Sequence, residues 1–243
     1  MSEISVKTAN GACRIELNRP ECGNLVTSEM VAALSEVLRG IGSDVKLVVI
    51  AGGGPDFCKG RDYQAAPESA TAGRATPSAL AIRERMTGPM VSLYGVLRDL
   101  PVATLSVVQG AAYGFGCALA GACDMTLAAD SARFRLPEMG RGLPPTLAMS
   151  ALWDRLSPRT IGYLVYSTAE LSASDALAIG LANSVVPGAE LDARAAALVG
   201  TICNQPLDAI RAVKEYLKEA PAMPASGRGG FGASLFAGVL SSR

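Results

Sequence analysis

Two segments have the residue types and spacing for chemistry on a carbonyl. One is Phe57-Cys58-Lys59-Gly60-Arg61-Asp62, and the other runs Gln109-Gly110-Ala111-Ala112-Tyr113-Gly114-Phe115-Gly116-Cys117-Ala118. Each sets glycines where an extended run gives way to a turn or helix, and such turns can leave backbone N–H groups without partners. Two N–H groups aimed at one point form an oxyanion hole, which holds charge developing on a carbonyl oxygen without needing any particular side chain. The chain has no histidine. Ser-His-Asp and Cys-His nucleophiles are therefore excluded, and so is His-ligated zinc. Proton transfer falls to carboxylates, Tyr, Lys, Cys or water.

The elements that must hold these segments are legible in the hydrophobic pattern. Residues 4–8 and 12–17 read as strands joined by Asn10-Gly11, a hairpin signal. A helix is expected from Thr27, a capping residue, with Val31, Leu34, Val37, Leu38 and Ile41 at helical spacing. Val45 to Ala51 reads as a buried strand running into Gly52-Gly53-Gly54-Pro55, and residues 64–79, rich in small residues and proline, as a mobile loop. A helix around 80–98 follows, then a strand from Val102 to Val108, a buried helix from Gly114 through Cys123, and a strand from Met125 to Ala129. Strands alternating with helices predict an α/β core. Beyond residue 158 the pattern is helical, near 158–167, 173–179, 190–204 and 206–219, with a short strand at Ser184 to Val186. The last twenty residues are rich in Gly, Ala and Ser, and their order is left open.

The totals bound the partners. With 243 residues, 49% hydrophobic and 18% charged, the chain is globular and large enough for one or two domains. Lys plus Arg equals Asp plus Glu, 22 each, which gives no reason to expect nucleic acid or an anionic membrane and is compatible with self-association. No apolar stretch approaches the roughly 20 residues of a membrane helix. Met1-Ser2-Glu3-Ile4-Ser5 lacks the features of a signal peptide. None of Cys13, Cys22, Cys58, Cys117, Cys123 and Cys203 forms a C-x-x-C pair. Reduced thiols in a cytoplasmic protein are expected, without a metal.

Taken together, the segments resemble the crotonase family, the enoyl-CoA hydratase/isomerase superfamily, from about residue 4 to residue 220. The residues that carry the resemblance are Leu17-Asn18-Arg19-Pro20 with Asn24, the Phe57 to Asp62 segment, Gly110 to Ala118 leading into Cys123-Asp124, Ala132-Arg133-Phe134, Pro137-Glu138, and Ser174 through Asn183. The resemblance implies a crotonase-like spiral of strand-strand-helix turns over about 1–185, and a helical C-terminal region over 186–243 that mediates trimers, often paired into hexamers. It implies a coenzyme A thioester as ligand, possible also as an acyl carrier protein thioester, and no further cofactor. It assigns the two oxyanion N–H groups to Arg61 and Phe115, and coenzyme A contacts to Lys59 and the Arg19–Asn24 turn, including Cys22. A solvated surface lysine is the equal alternative for Lys59.

The chain departs from that family where hydratases carry two glutamates. The first of these positions is Ala118 and the second, twenty residues on, is Glu138. Two carboxylates can divide the jobs of activating water and delivering a proton. One carboxylate suits a shuttle that takes a proton from the α carbon and returns it at the γ carbon. That is a double-bond shift between 3-enoyl and 2-enoyl thioesters. A salt-bridged loop role beside Arg133, Arg135 and Arg141 is the alternative for Glu138. Thr146 and Ala118 are carried as water- or substrate-contact positions, Thr146 as a hydrogen-bonding group rather than a base. Asp62 is expected to fix the first oxyanion turn and Asp124 to serve structure. Glu68 and Glu84 are open as entrants from the loop. Tyr94 and Tyr113 are open as proton donors, with buried core tyrosines the preferred reading for both. Three activities stay open: an isomerase working through Glu138, a hydratase or related decarboxylase or thioester hydrolase, and a non-catalytic thioester-binding homologue. Phe231, Phe236 and Arg243 lie in a short tail where relatives close a helix over coenzyme A.

Overall fold

The computed structural model describes residues 2–63 and 78–242. The loop reading of 64–79 falls almost wholly outside the described residues, as do Glu68 and Arg243.

The chain begins with the expected hairpin, β1 (Ile4–Ala9) against β2 (Ala12–Leu17). Asn10 and Gly11 both take positive φ, 51° and 78°. This is the turn whose twist matches paired strands. Four parallel strands then extend the sheet: β3 (Leu47–Gly52), β4 (Ala103–Val108), β6 (Met125–Ala129) and β9 (Ser184–Val186), in the order β1-β2-β3-β4-β6-β9. A second sheet joins β5 (Ala111–Tyr113), β7 (Arg133–Arg135) and β8 (Leu171–Ser172). Two isolated bridges, Val26 with Arg61 and Cys58 with Ala112, carry this second layer back toward the first turns of the chain. Successive turns thus place one strand in the large sheet and one short extended stretch in the other, and then a helix.

The helices are α1 (Ser28–Arg39), α2 (Ala79–Ile82), α3 (Gly88–Asp99) and α4 (Phe115–Ala122), with a π-turn from Arg83 to Thr87 joining α2 to α3. Thr27 caps α1 by accepting from the Met30 N–H at 3.1 Å. Parallel strands covered on both faces need continuous apolar runs, and all six residues of β3 are buried. Val48 and Ile50 face a core shared with Leu34 and Leu38 of α1, Leu93 and Leu97 of α3, and Leu119 of α4. Leu47 and Val49 face the other way, with Leu105 and Leu127, toward Leu191 and Ala195 of α8 (Leu191–Cys203).

The remaining helices are α5 (Thr146–Leu152), α6 (Pro158–Ser167), α7 (Ala173–Ala178), α9 (Leu207–Glu219) and α10 (Ala225–Ser241). The tail whose order the composition left open is α10. It buries no residue of its own and is held by Tyr216 of α9, whose ring stacks on Phe231 at 5.8 Å, and by Arg228 Nε donating to the Ala220 carbonyl. Asp124 has the structural role expected of it. Its carboxylate accepts from the Thr104 N–H and hydroxyl, both at 2.9 Å, and pairs with Lys214 Nζ at 2.6 Å and Arg155 at 3.2 Å. No helix among the described residues is long and apolar enough to cross a membrane.

Candidate active site

The two glycine-marked segments lie side by side. Phe57 N–H donates to the Gln109 carbonyl at 2.8 Å, Cys58 N–H to Ala111 at 2.9 Å, and Tyr113 N–H to Cys58 at 2.9 Å. The approach is tight enough that a Cβ at Gly116 would collide with the Cys58 carbonyl oxygen. On its other edge the first segment bonds to Val26, which donates to Gly60 O and accepts from Asp62 N–H, both at 2.9 Å. In that parallel bridge the residue between, Arg61, turns its own N–H away from Val26. It makes no backbone hydrogen bond with the described residues.

The second N–H belongs to Phe115. It opens α4, where the first N–H groups have no partner within the helix. The turn into this helix depends on Gly114, at φ 51° and ψ −113°, a backbone open in practice only to glycine. Gly114 donates to the Arg135 carbonyl and accepts from the Ala118 N–H, which fixes the turn from both sides. Both N–H groups and Glu138 belong to residues lining one cavity of about 940 Å³.

Glu138 begins a 3-10 turn, Glu138–Arg141, directly after Pro137. A Cβ built on Gly114 would lie 2.7 Å from Glu138 Oε1, so the carboxylate sits against the second oxyanion turn. Oε2 is buried and has no hydrogen-bond partner among the described residues. Burial raises the Glu138 pKa above the usual carboxylate value, and its own N–H and nearby Arg141 only partly oppose this. The salt-bridged alternative is not what forms. Arg133 donates to the carbonyls of Asp130 and Ala132, Arg135 donates to Thr168, and Glu138 has no ion pair among the described residues.

Other expected site residues divide into those on the cavity and those beneath it. Arg19, Cys22 and Lys59 line it. Arg19 is already engaged, with Asp62 at 3.0 Å, Glu3 at 3.3 Å and the Leu25 carbonyl at 2.7 Å. Asp62 thereby ties the Arg19 turn to the oxyanion turn. Lys59 is half exposed and pairs with Asp56 at 2.7 Å. Asn24 is a correction: it is wholly buried and does not line the cavity. It has positive φ, accepts from Arg19 N–H, and donates to the carbonyls of Gly53 and Asp56, both at 2.8 Å. Its amide is consumed in stapling two turns together. Ala118 is a second correction, because the second turn of α4 is packed in the core and gives this residue no opening to the cavity. Thr146 is exposed on the cavity wall at the start of α5.

Neighbouring thiols are unsuited to act as nucleophiles. Burial pushes the pKa of Cys58 and of Cys117 up to about 12. Tyr113 is not a core tyrosine, since it is half-buried and donates to Glu170 at 2.6 Å. Tyr94 is buried as expected, yet it also lines the cavity with Met86 and Met90 of the same helical run. Among the described residues, no group of three acidic, cysteine or histidine residues could hold a metal.

A family model described as enoyl-CoA hydratase/isomerase matches residues 7–230. The chain belongs to the enoyl-CoA hydratase/isomerase family. The carnitinyl-CoA dehydratase of Salmonella enteritidis is 31% identical over 229 residues, 92% of this chain and 84% of that one. The crotonyl-CoA hydratase of Syntrophomonas wolfei is 28% identical over 212 residues, covering 84% and 76%. Among solved structures, the enoyl-CoA hydratase of Mycobacterium smegmatis superposes with a TM-score of 0.88 at 25% identity, over 98% of this chain and 90% of that one. A Thermobifida fusca protein crystallised in complex with CoA gives 0.89 at 28% identity, over 99% and 93%. The crotonase fold and its helical C-terminal region are thus shared across nearly the whole length. The name of the enoyl-CoA hydratase/isomerase family joins two reactions, and identities near 28% leave the choice to the site itself.

Proposed function

We propose that this protein binds an acyl-CoA thioester and moves a carbon–carbon double bond from the 3-enoyl to the 2-enoyl position. The observation that carries this reading is Glu138: one half-buried carboxylate against Gly114, with Oε2 unpaired and Ala118 where relatives would supply a second acid. The thioester oxygen accepts hydrogen bonds from the N–H groups of Arg61 and Phe115. Glu138 removes a proton from Cα, and the electron pair spreads over the dienolate held by those donors. The protonated carboxyl then gives the proton to Cγ, and Glu138 returns to the carboxylate. No water, oxidant or second acid enters. Burial that raises the carboxyl's pKa makes it a stronger base and brings it nearer to neutral pH, where general bases work best. An oxyanion-hole donor of this kind is worth about 3 kcal/mol in the transition state.

Coenzyme A lies along Arg19, Cys22 and Lys59, with the Lys59 ammonium exposed enough to leave Asp56 for a phosphate. The names of the relatives and the bound CoA of the Thermobifida fusca protein support a CoA ester as ligand. Exposed apolar side chains on α6, α9 and α10, among them Tyr166, Val213 and Phe236, support assembly into trimers or hexamers, which sedimentation would measure.

The test is to incubate the protein with 3-hexenoyl-CoA and 2-hexenoyl-CoA in deuterated water. Interconversion of the double bond, with deuterium at Cα or Cγ, is expected. Faster formation of 3-hydroxyhexanoyl-CoA would make water addition the reaction and overturn the isomerase reading. Binding of thioester with neither change would identify a non-catalytic homologue.

A further inference from the structure

Tyr94 is an unusual member of the cavity wall. It is only 6% exposed, and its ring tilts against that of Phe115 with centroids 5.9 Å apart at 32°. It therefore packs against the residue whose N–H opens α4. Glu138 lines the same cavity, near enough that its charge adds to burial, the larger cause, in raising the pKa of the phenol. The proton stays on Tyr94 through the working pH range, so this group offers a hydrogen bond and not a proton. Buried tyrosine hydroxyls usually find a partner. Tyr94 makes no hydrogen bond with any described residue, and it lines the cavity. The rest of that wall, including Met86, Met90 and Leu147, offers apolar contact.

We infer that Tyr94 determines specificity, its hydroxyl hydrogen-bonding a hydroxyl or keto oxygen carried by the acyl chain at or beyond Cβ. This rests on the acyl-thioester reading above and names the substrate class for that site. A plain hydrocarbon chain laid against Tyr94 would strip the hydroxyl of water and return nothing. An oxygenated chain completes the bond. A site whose polar group is left unpaired by the wrong substrate discriminates more sharply than an apolar pocket can.

The experiment is titration calorimetry on the full chain with CoA, butyryl-CoA, 3-hydroxybutyryl-CoA, 4-hydroxybutyryl-CoA and acetoacetyl-CoA. The wild-type protein should bind at least one oxygenated thioester about tenfold more tightly than butyryl-CoA, the worth of one neutral hydrogen bond. Tyr94→Phe keeps the ring and its packing. It should erase that preference, bringing butyryl-CoA and the oxygenated thioesters to similar affinity, while leaving the affinity for CoA alone and thermal unfolding unchanged. A wild-type protein that binds CoA and butyryl-CoA but shows no preference overturns the role of Tyr94 alone. So does a Tyr94→Phe variant that keeps the preference or weakens every thioester equally. Failure of the wild-type protein to bind any thioester overturns the ligand reading as well.

Discussion

Replacing Glu138 by Gln tests the chemistry and the electrostatics together. The side chain keeps its size, so the cavity and the CoA contacts stay as they are. Loss of a general base typically costs 10²–10⁴-fold, and the upper part of that range, about 10³–10⁴, is expected here. The reason is that the described residues of the cavity offer no substitute. Asp62 is held by Arg19 at 3.0 Å, the Cys58 and Cys117 thiols are pushed up to about 12, and Tyr94 keeps its proton. The assay is deuterium uptake at Cα of 3-hexenoyl-CoA followed by mass spectrometry, with CoA affinity measured alongside. In the wild-type protein the rate should rise with pH through the raised Glu138 pKa and then level off. Stability supplies an independent check. Burial raises this carboxyl in the folded chain. On raising pH, the unfolded chain therefore releases its proton first, and the native state loses stability until the folded pKa is passed. The Glu138→Gln amide does not titrate, so the variant should match wild type in acid, at about pH 4, and exceed it at about pH 8. Exchange retained within about threefold of wild type, or a variant whose relative stability falls as pH rises, would refute the reasoning.

Three further substitutions probe the scaffold. Gly116→Ala should destabilise by about 1–3 kcal/mol by overpacking and should depress isomerisation, because its Cβ meets the Cys58 backbone and side chain and no flexible chain end is there to yield; melting temperature and turnover report both. Asp124→Asn should cost about 3–5 kcal/mol in urea unfolding, since Lys214 is only 5% exposed and loses its counter-charge; adding Lys214→Met should recover part of that loss. Asn24→Ala should cost about 1–3 kcal/mol for each buried carbonyl left unpaired at Gly53 and Asp56, read from the same unfolding curves.

Much of this architecture is written locally. Asn10-Gly11 specifies its hairpin because both residues accept positive φ. Thr27 specifies where α1 begins because its hydroxyl replaces a missing helical acceptor. The meeting of the two glycine-marked segments was legible for the same reason, as glycine is the residue that the Gly114 backbone and the Gly116 contact both require. What was not legible depends on partners distant in sequence. Asn24 looks like a ligand contact until the carbonyls of Gly53 and Asp56 come within 2.8 Å of its amide. Tyr94 reads as a core tyrosine and is core by burial, yet it also lines the cavity. Helix α10 has no buried residue and a glycine-rich sequence, so neither pattern nor propensity announces it.

The pairing of cavity charges supports the proposed isomerisation over water addition. Of its acidic residues, Asp62 is tied to Arg19, while Glu138 has no ion pair among the described residues. Among the described residues, a proton taken from a substrate in this cavity thus has Glu138 as its destination. From there it can go back to carbon or out to solvent. Directed water addition needs a second group, to steer the nucleophile while the first manages the proton. Ala118 is buried and apolar at one such position, and the Thr146 hydroxyl can orient water but cannot deprotonate it. Return to carbon, the reaction proposed above, asks less of the protein: the dienolate must be held by hydrogen-bond donors while one carboxyl moves the proton from Cα to Cγ.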